Sequence, residues 1–249
     1  MQAHYHRLKE LAHRIAQTLP PPSFYVTFQA EIHRAGETLS TNKFIGKCRS
    51  FLDESQLECA HGVCHCESVA RDAGALILIN AQDRGLAGET VERLIIASEI
   101  AGLLHDIKRK EKDHAILGSI EAGKILSAIG IDSREQKYIT DAIRNHEAFK
   151  EVRDSDDAGA RLVSDALYDA DKFRWGPDNF TTTLWLMVEE NDTPLESLHT
   201  VFKDKVKGIE KIKETFRTET GRTYGPEFID HGLQIGDVIY EEMSALLGR

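Results

Sequence analysis

The chain has 249 residues, which suffices for one domain with a sizeable core or for two small ones. Hydrophobic residues make up 41% of it and charged residues 29%, the usual balance of a soluble globular protein. The formal net charge of −10 argues against a general nucleic-acid binder, which usually carries a basic surface. The sequence has no run of 18 apolar residues and no basic-apolar leader, so we expect no membrane contact and a cytoplasmic location.

The first 59 residues are expected to form a helical extension with one ambiguous stretch. Residues 3–18 carry apolar side chains at helical spacing, and the prolines at 20–22 end that pattern. Residues 24–56 allow two interpretations. Phe24, Val26 and Phe28 alternate as in a strand, whereas the apolar positions of residues 44–52 fit a helix.

Four cysteines lie in the first third of the chain: Cys48, Cys59, Cys64 and Cys66. A disulfide framework is not expected in an intracellular chain of this size. A structural zinc site in the segment 59–66 would need help from histidines, because no Cys-x2-Cys spacing occurs. Reduced and mostly buried thiols are the favoured interpretation.

From residue 65 onward the helical pattern is regular. One helix is expected to begin at residue 65, and a second is expected to end at His105. Further helices are expected over 114–129, from Asp132 or Ser133 to His146, over 158–174 and over 180–190, and two more after Pro194. Glu135, three residues after Asp132, completes a predicted capping box. The sequence therefore predicts a single all-α domain, 1–249, with a core at about 60–175, an N-terminal extension at 1–59 and C-terminal helices at 176–249.

His105 and Asp106 stand side by side at the end of a helix that is otherwise almost free of charge. Ionisable groups are rarely buried unless they are paired or bind a metal. Further candidate ligands lie at or near predicted helix ends: His65, His114, His146 and Asp171. Imidazole and carboxylate ligands without a required thiolate suit Fe, Mn, Zn, Ni or Co. Because adjacent helical side chains diverge by about 100°, Asp106 could reach between two metals while His105 binds one.

Five segments, taken in order, resemble the HD superfamily of metal-dependent phosphohydrolases. Leu103-Leu-His-Asp-Ile107 looks like the motif that names the family, and the resemblance covers about residues 60–175. The other four segments are His65–Ala70, His114–Gly118, Ile143–Glu147 and Asp169–Phe173. The resemblance favours His65 over His61, and Asp171 over Asp169, as ligands. It implies a helical bundle whose six residues hold two divalent ions, with Mg as a further candidate metal. Some relatives instead bind one metal and use the positions equivalent to His114 and His146 for substrate.

Two departures from the family bear on the substrate. Arg109 stands where many relatives with two metals have lysine, and it could grip a phosphate in a bidentate manner. The Gly-Tyr-Pro motif of cyclic-di-GMP phosphodiesterases is missing after His146. Of the nearby cations, which also include Lys112 and Arg144, we expect Arg109 and Lys172 to contact substrate.

The resemblance implies a phosphohydrolase for a small phosphorylated substrate, which we expect to be a nucleotide. A metal-bound hydroxide would attack phosphorus, with Asp106, Arg109 and Lys172 as the catalytic residues. One alternative keeps the site but makes it a di-iron oxygenase of an organophosphonate or polyol. Another is a non-catalytic metal-binding sensor or interaction module. The C-terminal helices could also form the interface of a homodimer.

Overall fold

The computed structural model describes residues 3–52, 62–81 and 85–249. Every regular element in these ranges is helical and none is a strand, so the all-α prediction is confirmed. The helices are α1 (Ala3–Thr18), α2 (Ser23–Thr27), α3 (Gln29–Thr41), α4 (Lys43–Arg49), α5 (Val63–Ala81), α6 (Glu89–Leu104), α7 (His114–Ile129), α8 (Ser133–Arg144), α9 (Ala158–Phe173), α10 (Leu184–Glu190), α11 (Leu195–Glu210) and α12 (Glu219–Leu246).

The possible strand around residues 24–28 is wrong, because this segment forms α2 and Phe28, the single residue between α2 and α3. In a strand, Phe24 and Val26 would face the same side. Instead Phe24 is fully buried against Phe173 and Phe228, while Val26 is 54% exposed. Phe24 packs in the aromatic core, and the helical turn places Val26 on the side that faces solvent.

The helices α5 and α6 pack against each other at very short range. A Cβ atom at Gly102 of α6 would lie 2.4 Å from the Cα of Ala70, and one at Gly74 of α5 would lie 2.5 Å from Oε1 of Glu99. Only glycine allows helices to approach so closely at these two positions. This contact brings the beginning of α5 next to the end of α6.

Two helices of the central bundle begin at carboxylate caps. The Asp132 side chain accepts from the backbone N–H of Arg134, and Asp157 accepts from Gly159 and Ala160. The predicted reciprocal bond from Glu135 is wrong, since its carboxylate pairs with Arg93 on α6. The helix α8 also ends earlier than expected, at Arg144, so His146 follows the helix instead of closing it.

The chain after α9 adds three helices that pack around the bundle. A π-helical turn, Asn179–Thr183, precedes α10, and a 3-10 turn, Lys211–Glu214, follows α11. The helix α12 packs against α1, α5, α9 and α11. The division into a core at 60–175 and flanking segments stays a prediction. None of the helices in the described ranges is both long and apolar enough to cross a bilayer.

Candidate metal centre

All six predicted ligands come together at one place, and each is supplied by a helix end. His65 lies in the first turn of α5, Asp171 in the last turn of α9, and His114 is the first residue of α7. His105 and Asp106 follow α6, and His146 follows α8. They form two groups of potential ligands: His65, His105 and Asp171 in one, and Asp106, His114 and His146 in the other.

The first group is held between α5, α6 and α9. Nε2 of His65 lies 3.3 Å from Nε2 of His105 and 3.5 Å from Oδ1 of Asp171. Nε2 of His105 lies 3.8 Å from the same carboxylate oxygen. The lone pairs of two imidazoles and one carboxylate thus converge on a space the size of an ion.

The second group meets the first at Asp106. Oδ1 of Asp106 lies 3.5 Å from Nε2 of His114 and 3.5 Å from Nε2 of His146, and the two imidazole nitrogens are 3.3 Å apart. The other carboxylate oxygen, Oδ2, lies 3.4 Å from Nε2 of His105. One oxygen of Asp106 therefore faces each group, which is the arrangement of a bridging carboxylate.

The donor set fits metal ions because its ring nitrogens and carboxylate oxygens are turned toward one another. Nδ1 of His105 donates to the carbonyl of Gly102 at 2.8 Å, and Nδ1 of His146 donates to that of Ile143 at 2.6 Å. Backbone carbonyls so placed leave Nε2 as the lone-pair nitrogen, as in many metal-ligating histidines. Oδ1 of Asp106 is buried and has no hydrogen-bond partner. Metal ions bound here would give a partner to these Nε2 atoms and to Oδ1 of Asp106.

Electrostatic coupling in the site is strong because its residues are buried. Burial alone raises the pKa of Asp106, but His105 and His146 outweigh it and hold that pKa well below its usual range. Burial lowers the pKa of His105, whereas Asp106 and Asp171 raise it above its ordinary value. For His114, burial dominates and lowers the pKa. The carboxylates are therefore ionised and ready to bind a cation.

The two predicted substrate-binding cations lie at the edge of this centre. Nη1 of Arg109 lies 3.0 Å from Nε2 of His114 and 3.9 Å from Oδ1 of Asp106. The Lys172 ammonium pairs with Oδ2 of Asp171 and stands over the ring of Trp175. Lys172 thus directs the other oxygen of Asp171 toward the histidines.

Asp169, which the resemblance did not favour as a ligand, has a structural role. Its carboxylate accepts from the backbone N–H groups of Arg217 and Thr218 and from the Thr218 hydroxyl, at 2.7–2.8 Å. Burial raises its pKa to about 7. Asp169 therefore fixes the start of α12 against α9, and His61, the rejected alternative to His65, lies outside the described residues.

Sequence reasoning missed Asn145, which supports His146. Its side chain accepts from the N–H of Arg153 and donates to the carbonyl of Arg153 and to Ser164, at 3.0–3.2 Å. These bonds tie the segment after α8 to α9. An asparagine next to a histidine is too common a pair to have signalled this role.

A cavity of about 600 Å³ opens beside the centre. Its wall includes four of the six ligands and both predicted substrate-binding cations, namely His65, Asp106, His146, Asp171, Arg109 and Lys172. Lys112 and Arg144 do not line it. Nine of the other nineteen lining residues belong to α10 and α11, the helices whose role the sequence left open. A volume of this size is typical of small-molecule sites.

The three cysteines in the described residues do not form part of the two ligand groups. Cys48 and Cys66 are buried and Cys64 is exposed, and none of the three is in a disulfide. Burial raises the pKa of Cys66 above its ordinary value. Cys59, and with it residues 59–61 of the segment 59–66 of the zinc alternative, lies outside the described residues.

Within its described residues, the chain is thus an all-helical protein with two adjoining buried His/Asp groups that could each hold a metal ion. No protein-family model, curated protein sequence or solved structure matches this chain. The case for a function therefore depends on the site itself.

Proposed function

We propose that this protein is a metal-dependent phosphohydrolase of the HD type, acting on a small phosphorylated molecule. One observation carries the proposal: Asp106 faces both ligand groups, one oxygen to each, at the wall of a cavity that Arg109 and Lys172 also line. The order of the ligands along the chain, and their origin at helix ends, agree with the resemblance seen in the sequence.

The six side chains would hold two divalent ions, and the choice among Fe, Mn, Zn, Ni, Co and Mg stays open. When bound, such ions neutralise charge on phosphoryl oxygens and lower the pKa of a bound water molecule toward neutrality. Ligands that are mostly imidazole favour transition metals over Mg.

The chain's own residues would bind and orient the substrate. Arg109 is partly exposed, and its guanidinium can donate two parallel hydrogen bonds to a phosphate. Lys172 is almost fully buried and keeps Asp171 aligned through its ion pair. The carbonyls of Gly102 and Ile143 hold His105 and His146 in their ring orientation.

The test is metal analysis of protein purified without chelators, followed by a screen of phosphate esters and anhydrides with the metal found. We expect about two ions per chain in the wild type, as the two ligand groups imply. His105→Ala and Asp106→Asn should lose metal and hydrolysis while keeping the helical circular-dichroism spectrum. The control is His13→Ala, which removes an exposed histidine of α1 and should retain both properties. Hydrolysis that survives both site substitutions would refute the proposal.

The oxygenase alternative uses the same ligands, and assays on the same preparation distinguish it from the hydrolase. An iron-loaded protein that consumes oxygen with a phosphonate or polyol, and hydrolyses no phosphate ester, would favour it. A metal-loaded protein without any turnover would favour the sensor or interaction module.

A further inference from the structure

The cavity beside the metal centre is lined by ionisable side chains of that centre and, along α10 and α11, by apolar side chains with the exception of Lys205. Eight of its apolar side chains belong to these two helices: Leu184, Met187 and Val188 on α10, and Leu198, Val201, Phe202, Val206 and Ile209 on α11. Their spacing of three and four residues places each set on one helix face. The apolar wall is thus a consequence of two amphipathic helices that turn one face to the cavity.

Some of these apolar groups are exposed to solvent although they border a cavity. Met187 is 49% exposed and Val201 is 45% exposed. Phe149, which also lines the cavity, is 65% exposed and has a φ of 60°, an unusual conformation for a bulky residue. Exposed apolar side chains gathered around one cavity indicate a binding site for an apolar group.

We infer that the substrate is a phosphate ester whose alcohol part is a hydrocarbon group, alkyl or aryl, bound between α10 and α11. This inference rests on the proposed function, since it puts the phosphate at the metal centre. Asp106, Lys172, Val201 and Phe202 line the same cavity, so a ligand that fills it contacts both the metal centre and the apolar wall.

A nucleotide fits this wall less well than a hydrocarbon. Ribose and base carry polar groups that need hydrogen-bond partners when they are buried. The eight apolar side chains of α10 and α11 offer none. Outside the metal centre, the polar residues that line the cavity are Glu147, Arg174, Asn179, Thr183, Asn191, Thr193 and Lys205. Nucleoside monophosphates are therefore the comparison compounds in the test.

The experiment measures binding of n-alkyl phosphonates, which lack the hydrolysable ester bond, to the metal-loaded full chain by calorimetry. Affinity should increase about three- to fourfold for each added methylene until the apolar wall is covered. Val201→Asp should flatten this dependence on chain length. The matched control is Thr200→Asp, which adds the same charge at the preceding position of α11, an exposed residue outside the cavity wall. It should keep the wild-type dependence.

Hydrolysis of n-alkyl phosphates and of nucleoside monophosphates is measured in parallel. Hydrolysis without chain-length dependence, or tighter binding of nucleoside monophosphates that Val201→Asp leaves unchanged, overturns the inference and leaves the phosphohydrolase intact. Chain-length-dependent binding without any hydrolysis supports the apolar site and refutes the proposed function. An equal effect of Thr200→Asp and Val201→Asp also overturns the inference.

Discussion

Gly102 of α6 lies directly against Ala70 of α5, at a distance that leaves no room for a side chain at position 102. The same glycine supplies the carbonyl that accepts from Nδ1 of His105. The contact therefore sets both the separation of His65 from His105 and the orientation of the His105 ring.

Gly102→Ala should destabilise the protein and loosen the metal centre. The new methyl group would push α5 and α6 apart, and overpacking of this kind lowers the free energy of unfolding by about 1–3 kcal/mol. Denaturant unfolding and metal titration check this. Gly36→Ala in α3 is the matched control, because a Cβ there meets nothing within 4 Å. It should be neutral or stabilising by up to about 1 kcal/mol, and an equal loss in both variants would contradict the argument.

Asn145→Ala should weaken metal binding without removing a ligand. It deletes three hydrogen bonds that hold the segment between His146 and α9, at a cost of about 1–3 kcal/mol in stability. The metal dissociation constant is the readout, alongside the unfolding midpoint. Asn145→Asp keeps the acceptor for the Arg153 N–H and should fall between alanine and wild type. Wild-type metal affinity in the alanine variant would show that the segment is held by other contacts.

Glu99 gives the protein a pH-dependent stability that is unrelated to catalysis. Its carboxyl is fully buried, neither oxygen has a hydrogen-bond partner, and burial raises its pKa to about 9. The folded state therefore keeps a proton that the unfolded chain releases above its ordinary pKa of 4.5. The folded state binds more protons between these two values, so its stability falls as the pH rises through this window.

Glu99→Gln should remove this dependence, because glutamine does not titrate. Between about pH 5 and about pH 8, the free energy of unfolding of the wild type should fall by up to about 4 kcal/mol more than that of the variant. Urea unfolding at both pH values measures the difference. Glu89→Gln, at an exposed position of the same helix, should behave as the wild type does. Parallel curves for wild type and Glu99→Gln would contradict a buried neutral carboxyl.

Asp72 joins α2, α5 and the end of α9 through buried polar contacts. It accepts from the Tyr25 hydroxyl at 2.7 Å and from Arg174 at 2.6 Å. Asp72→Ala removes the buried carboxylate partner of Arg174 and leaves it only the half-exposed carboxylate of Asp178, at 2.9 Å, so it should cost up to about 3–5 kcal/mol. The double variant Asp72→Leu/Arg174→Met should recover much of this loss in thermal unfolding. If the double variant is as unstable as the single one, the cost comes from packing and not from the unpaired charge.

The sequence specified most of the helices because their cause is local. Apolar residues at spacings of three and four, carboxylates at Asp132 and Asp157, and the prolines after α1 are all read without knowledge of distant contacts. It erred where a distant partner decided the outcome. Phe24 packs in an aromatic cluster with Phe173 and Phe228, and the carboxylate of Glu135 forms an ion pair with Arg93 instead of a capping bond.

The sequence alone determined the identity of the candidate ligands and their order along the chain, since histidine and aspartate at the ends of apolar helices form a detectable pattern. Only the tertiary structure decided that they form two groups, that Asp106 faces both, and that α10 and α11 place an apolar wall beside them. Periodicity shows which face of a helix is apolar, but not which neighbour or cavity that face meets. Those relations depend on how helices far apart in the chain pack, as the contact of Gly102 with Ala70 illustrates.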